Sequence, residues 1–171
     1  MAYSIKRADF IHAGFIFDIM NQIGDGMDNP GYFVKSDMDF IQNHIERQGV
    51  TFLAQDKNQP IGFLIIDIPG GQDHNLGLDI GLPPARLNSA AHMDTVAVLP
   101  EYRGMRLQKA LLEQGEDYMK QLGYTDFLAT VHPDNSASLN NFLRCGYRVK
   151  ETKLKYGGFL RHILHKNKEN L

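Results

Sequence analysis

Residues 96–111 join a β-branched run, Val96-Ala97-Val98, to a turn through Pro100 and a helix that opens at Arg103-Gly104. A strand that turns directly into a helix aims the helix's free N–H groups and the positive end of its dipole at one spot. Such a spot binds a phosphate or pyrophosphate. The candidate donors are the amides of Gly104, Met105, Arg106, Leu107, Gln108 and Lys109, because main-chain donation asks little of the side chain. Three cations, Arg103, Arg106 and Lys109, share this turn. Cations at a helix start run against the dipole, so three of them point to a bound anion. Glycine is the residue for a positive φ. Arg106 is therefore expected to hold a helical φ with its side chain outward.

Several elements must position this turn. Ser4 to Arg7 suits a first strand, and His12, Phe15, Ile16, Ile19, Met20 and Ile23 recur at helical spacing up to Gly24. Ser36 followed by Asp39 reads as a capping box for a second helix running to about Arg47. Residues 50–55 and 61–68 read as strands around a turn at 56–60. Residues 69–91, rich in Gly, Pro, Asn and Asp, are too long for a routine connection and are expected to be functional or mobile. Residues 93–99 form a strand. Residues 107–121 form a helix, with Leu107, Ala110, Leu111, Tyr118 and Leu122 inward. Residues 127–131 form a further strand, and Asn135 caps a helix through Arg144. Residues 147–154 and 159–165 make a hairpin around Tyr156-Gly157-Gly158, and residues 167–171 are expected to fray. The order β-α-α-β-β-β-α-β-α-β-β is neither a doubly wound sheet nor a clean α+β split.

At 171 residues the chain is read as one domain, residues 1–166. Its net charge of −2 gives no electrostatic drive toward nucleic acid. No apolar run approaches the roughly 20 residues of a membrane span. A single cysteine, Cys145, excludes an internal disulfide and reads as a small apolar core residue in a cytoplasmic protein. No metal-ligand spacing and no Ser-His-Asp arrangement is visible. His162 and His165 read as surface residues.

Downstream of the turn stand Asn135, Ala137, Gly146 and Tyr147. With the Arg103–Lys109 turn, this segment resembles the acetyl-CoA-binding segments of the GNAT N-acetyltransferase superfamily. Arg103 matches the first position of that family's turn motif. Arg106 stands where Gly is usual, and Gln108 where Gly or Ala is usual. The resemblance implies an α/β fold of about seven strands and four helices, a mixed sheet with coenzyme A between strands four and five. It implies main-chain contacts from Val96, Ala97 and Val98 to pantetheine, and an Asn135 that caps its helix and reaches the cofactor arm. At Phe142, seven residues after Asn135, many members carry Tyr, the proposed acid for the leaving thiolate.

The implied reaction is direct attack of an amine on the acetyl-CoA thioester, which needs a base or a water chain. Asp94 lies where the family often places an acidic residue. His92 could relay its proton, and His132 could line the gap between the strands. Alternation puts residues 92, 94, 96 and 98 on one face unless a bulge intervenes. Asp25, Asp28, Asp73 and Asp79, in segments the resemblance places near the acceptor, would suit a cationic small-molecule amine. Three functions stay open: acetylation of a small amine, acetylation of a protein N-terminus or lysine, and acyl-CoA binding without turnover, which Phe142 favours. A homodimer is compatible with the family.

Overall fold

The computed structural model describes residues 3–168. Seven strands form one sheet in the order β1-β2-β3-β4-β5-β7-β6. They are β1 (Tyr3–Arg7), β2 (Gly49–Asp56), β3 (Gln59–Asp67), β4 (Ala90–Val98), β5 (Asp126–Val131), β6 (Arg148–Lys155) and β7 (Phe159–Asn167). All neighbours are antiparallel except β4 and β5, which run parallel. The helices are α1 (Ala13–Asp25), α2 (Met38–Glu46), the single turns α3 (Leu76–Asp79) and α4 (Pro84–Leu87), α5 (Leu107–Gln121) and α6 (Ser136–Arg144).

Each face of the sheet carries its own core. On one side α1 and α2 bury Ile16, Ile19, Met20, Ile23, Ile41 and Ile45 against Leu53, Phe63 and Ile65. Phe15, expected inward, is 52% exposed, because the α1 stripe runs through Ala13 instead. On the other side α5 and α6 cover Leu64, Ile66, Met93 and Phe127. The buried stripe of α5 is Leu107, Leu111, Gly115 and Met119, spaced by four as one helix face requires. Leu122, expected inward, caps the helix and faces solvent. Helix α2 is capped by Asp37, whose carboxylate accepts from the Phe40 N–H at 2.8 Å, rather than by Ser36.

Gly115 sets how closely α5 lies on β3. A Cβ there would stand 2.6 Å from Leu64 Cδ2 and 2.9 Å from Ile66 Cδ1. Gly115→Ala is expected to destabilise the fold by about 1–3 kcal/mol through overpacking. Chemical unfolding checks this, and an unchanged midpoint would mean that the two side chains swing aside freely.

Residues 69–91 are not a loose loop. Asn75 caps α3 and its amide donates to the carbonyls of Gly70 and Leu87, while Leu76 packs with Ala90, Leu128 and Ile163. The last strand also continues past its expected end. Asn167 belongs to β7, and the Lys168 N–H donates to the Thr125 carbonyl at 2.9 Å. Of the expected frayed tail, residues 169–171 lie outside the described residues.

His165 is buried, not on the surface, and bonds the Asp126 carboxylate at 2.7 Å. The β5–β7 pairing places Leu128 opposite it and turns its ring inward.

Candidate active site

Strands β4 and β5 pair only from Ala90 to His92 against Asp126 to Leu128. Beyond that they separate, although both continue. The split leaves the Asp94–Val98 edge of β4 without a strand on the β5 side. A β-bulge sits at the start of the split. Ile65 pairs with Thr95 and Ile66 with Met93, so Asp94 is the extra residue. The bulge breaks the alternation expected for residues 92, 94, 96 and 98. Met93, Val96 and Val98 pack toward α5, and Ala97 packs toward α1 and α2.

A cleft of about 220 Å³ occupies the split. Asp94, Thr95 and Val96 line it from β4, Thr130 from β5, and Ser138 and Phe142 from α6. Tyr32, Phe33, Phe40, Tyr156 and Arg161 complete its lining. Asp94 is exposed where it lines this space, yet the protein around it is dense enough to desolvate its carboxyl. Burial pushes its carboxyl above the ordinary range, the Thr95 hydroxyl that donates to it at 2.9 Å pulls it back, and the negative Asp67 raises it again. The outcome is a carboxylate more basic than usual.

Behind β4 lies a cluster centred on Asp67. Its carboxylate meets His44 Nε2 at 3.1 Å, His74 Nε2 at 3.0 Å and His92 Nδ1 at 3.3 Å. Burial disfavours a charge on His44, but its two nitrogens face the Asp67 carboxylate and the Phe40 carbonyl (2.7 Å), and its pKa is raised. Burial would likewise raise Asp67, yet hydrogen bonds from His44 and His92 hold it well below the carboxylate range. His92 Nε2 accepts the Leu76 N–H at 3.1 Å. Both its nitrogens are therefore engaged away from the cleft, which leaves none for a relay from Asp94. His132 also lies outside the lining. Its Nδ1 accepts the Asp134 N–H at 3.1 Å, and its ring stands obliquely against Tyr32 at 5.1 Å.

The turn after β4 has the expected order but a different backbone at one residue. Arg106 is left-handed, with φ 59° and ψ 20°, at the position where the motif has glycine. Gly104 is also positive, at φ 81°. The expectation of a helical φ at Arg106 is thus corrected. The chain must reverse sharply between the 3₁₀ turn at Pro100–Tyr102 and α5, and Arg106 adopts the required conformation despite its Cβ. The first helical bond is Ala110 N–H to the Arg106 carbonyl at 3.0 Å. The amides of residues 107–109 thus precede any helical acceptor. Arg103 and Arg106 are exposed, and Lys109 lies 3.5 Å from Glu113. Gln108 accepts from Asn141 at 2.7 Å and ties α5 to α6. Asn135 caps α6 through the Ser138 N–H at 3.2 Å. Phe142 is buried, with its ring edge-on to Tyr147 at 5.1 Å.

The four aspartates expected near the acceptor do not line the cleft. Asp25 pairs with Lys35 at 2.6 Å, and Asp79 holds Lys153 and Lys155, each at 2.7 Å. Tyr32, Thr130, Ser138, Tyr156 and Arg161 do line it, each from a different element, and no residue pattern singled any of them out. The family resemblance places the loop from Gly24 to Phe33, which holds Tyr32, and the hairpin around Gly157, next to Tyr156, near the acceptor. Among the described residues, no group of three or more His, Cys, Asp or Glu could hold a metal ion, and no helix is long and apolar enough to cross a membrane.

Known structures share this architecture. Arabidopsis thaliana NAA60, solved in complex with acetyl-CoA, superposes with a TM-score of 0.76 at 15% identity, covering 97% of this chain and 99% of that one. YncA of Salmonella typhimurium, a putative acetyltransferase solved with acetyl-CoA, gives 0.73 at 16% identity, covering 98% and 95%. The ribosomal-protein-S18-alanine N-acetyltransferase of Escherichia coli gives 0.72 at 15% identity, covering 97% and 94%. No curated protein matches the chain in sequence. The family model described as acetyltransferase (GNAT) family matches residues 17–147. With the split between β4 and β5 and the amide-lined turn that follows it, this match makes the chain a member of the GNAT acetyltransferase family.

Proposed function

We propose that this chain is an N-acetyltransferase that moves the acetyl group of acetyl-CoA to the primary amine of a small molecule. The observation that carries this reading is the open Asp94–Val98 edge of β4. It leads at one end to the amide-rich turn at residues 104–109, and at the other to a cleft whose one carboxylate is Asp94. Acetyl-CoA supplies a thioester carbonyl open to attack by an amine. The main chain of Val96, Ala97 and Val98 would pair with the pantetheine arm, as a missing strand would. The amides of Gly104, Met105, Arg106, Leu107, Gln108 and Lys109 would hold the pyrophosphate, with Arg103 and Arg106 adding charge. Asn135 and Phe142 would flank the arm from α6.

Asp94 takes the proton from the attacking amine, directly or through one water. The C–N bond forms at the carbonyl carbon, the C–S bond breaks, and the electron pair leaves with sulfur. Phe142 cannot protonate that sulfur. A thiol with a pKa of about 8.5 leaves without help, and Ser138, one turn before Phe142, is the nearest hydroxyl on the same helix face. The modest size of the cleft, about 220 Å³, suits a small acceptor. Phe142 also supports a second reading, acyl-CoA binding without turnover.

Isothermal titration with CoA and acetyl-CoA, followed by thiol release against a panel of amines, decides between them. Binding with release supports the enzyme, binding without release supports the second reading, and no binding overturns both. Arg106→Gly is expected to keep acetyl-CoA affinity within about tenfold, because the main-chain donors stay and one charge-assisted contact goes. It should also stabilise the fold by about 0.5–1 kcal/mol by relieving a left-handed non-glycine residue. A collapse of affinity would show that the Arg106 side chain, not the backbone, holds the anion.

A further inference from the structure

Arg161 is the charged group in the cleft that the acetyl transfer does not use. It sits on β7 at 4% exposure, opposite Lys153 of β6 and next to His162, which pairs with Val131 at the open end of β5. The register therefore delivers its guanidinium to the mouth of the split. Nη1 donates to the Leu160 carbonyl at 2.9 Å and Nη2 to the Gly31 carbonyl at 2.7 Å. The cation also lies 5.4 Å from the Phe159 ring centre and 6.0 Å from that of Tyr156.

No carboxylate among the described residues pairs with it. Its surroundings act through burial, which disfavours the charge, and through the Tyr156 hydroxyl, which favours it. A guanidinium carries five N–H donors, and two hydrogen bonds account for two of them. No buried side-chain nitrogen or oxygen among the described residues is both sealed and unpartnered. The Nε–H has no partner among the described residues, so it is not sealed from solvent, and Arg161 lines the cleft. A buried cation without a counter-ion is costly unless something in its site carries the opposite charge.

Asp94 lines the same space, and Tyr156, which also lines it, is close enough to both Asp94 and Arg161 to feel their charges. The cleft thus presents one carboxylate and one unpaired guanidinium, with aromatic walls from Tyr32, Phe33 and Phe40. A plain amine or a polyamine would leave Arg161 uncompensated. We infer that the acceptor is a free amino acid or a similarly small amino-carboxylic acid, whose carboxylate is bound by Arg161 while its amine faces Asp94. Arg161 is then a specificity-determining residue. It offers the planar fork that suits a carboxylate. This inference rests on the acetyltransferase reading only for the fate of the amine.

The test offers L-phenylalanine, L-leucine and L-lysine, each beside its amide and its decarboxylated amine. Binding to the CoA-loaded protein is measured by calorimetry, and turnover by thiol release. At least one free amino acid is expected to bind about 10–100-fold tighter than its carboxylate-free partners, the range of a charge-assisted contact. Arg161→Gln should abolish that difference through affinity and KM, with acetyl-CoA affinity kept, and Arg161→Lys should restore part of it. If Arg161 only clamps the Gly31 loop, Arg161→Gln weakens amino acids and decarboxylated amines alike, and the inference falls. It falls also if no free amino acid binds, or if N-terminal peptides are better acceptors. Carboxylate binding without thiol release would sink the transfer reading and leave this one standing. Turnover of decarboxylated amines alone would do the reverse. Where Arg161→Gln fails to fold, the wild-type comparison of matched pairs decides.

Discussion

Replacing Asp94 by Asn is expected to lower kcat by about 10²–10⁴-fold, the usual worth of a positioned general base, while acetyl-CoA affinity should stay within a fewfold. The wild-type rate should climb with pH through an apparent pKa above the ordinary aspartate value of 3.8, since burial raises this carboxyl. Asp94→Asn should lose that limb. Stability moves in the opposite sense. A carboxyl whose folded pKa is raised binds its proton more tightly in the native state than in the unfolded chain. It therefore weakens the fold as pH rises through and above the unfolded value. Asp94→Asn removes that penalty, so its melting temperature at neutral pH should hold or rise. A variant both slower and less stable would mean that Asp94 mainly holds the bulge. An unaltered rate would assign the proton to water alone.

The largest loss of stability is expected from Glu116→Ala. Glu116 is 1% exposed on the buried side of α5, where Lys166 Nζ meets it at 2.6 Å and the Tyr147 hydroxyl donates to it at 2.9 Å. Lys120 adds a longer contact at 3.7 Å. Deleting the carboxylate strands a buried ammonium and a buried hydroxyl at once. Removing one partner of a buried ion pair costs about 3–5 kcal/mol. In a protein of this size that is a fall in melting temperature of roughly 6–20 °C. Converting the whole network, with Glu116→Leu, Lys166→Met and Tyr147→Phe together, should recover most of the loss, since a packed apolar replacement avoids desolvating charge. Thermal unfolding of the single and triple variants checks both statements. A single-variant loss below about 1 kcal/mol would show that water reaches Lys166.

Local physics made much of this chain legible. The cap at Asn135, the α5 boundaries and the hairpin turn at residues 156–158 follow from hydrogen bonding and backbone preference within a few residues, and they stand where the residues put them. The strand-turn-helix after Val98 was visible for the same reason, while the family came from the resemblance of its motifs. The positive φ at Arg106 was hidden. Residue type speaks against it, and only the path imposed between β4 and α5 enforces it. His165 was misplaced because spacing within β7 says nothing of Asp126, which β5 brings to it.

By itself, then, the sequence determined the order of elements and the strand-turn-helix after Val98, since each depends on neighbours in the chain. Tertiary structure alone decided the chemistry around them. The extra residue in β4 exists only relative to β3. The cleft exists only because β4 and β5 pair for three residues and then part. Arg161 reaches that cleft through strand register and clamps a carbonyl 130 positions away. Pairing register and burial are properties of distant segments meeting, so no local pattern can announce which charge will face which.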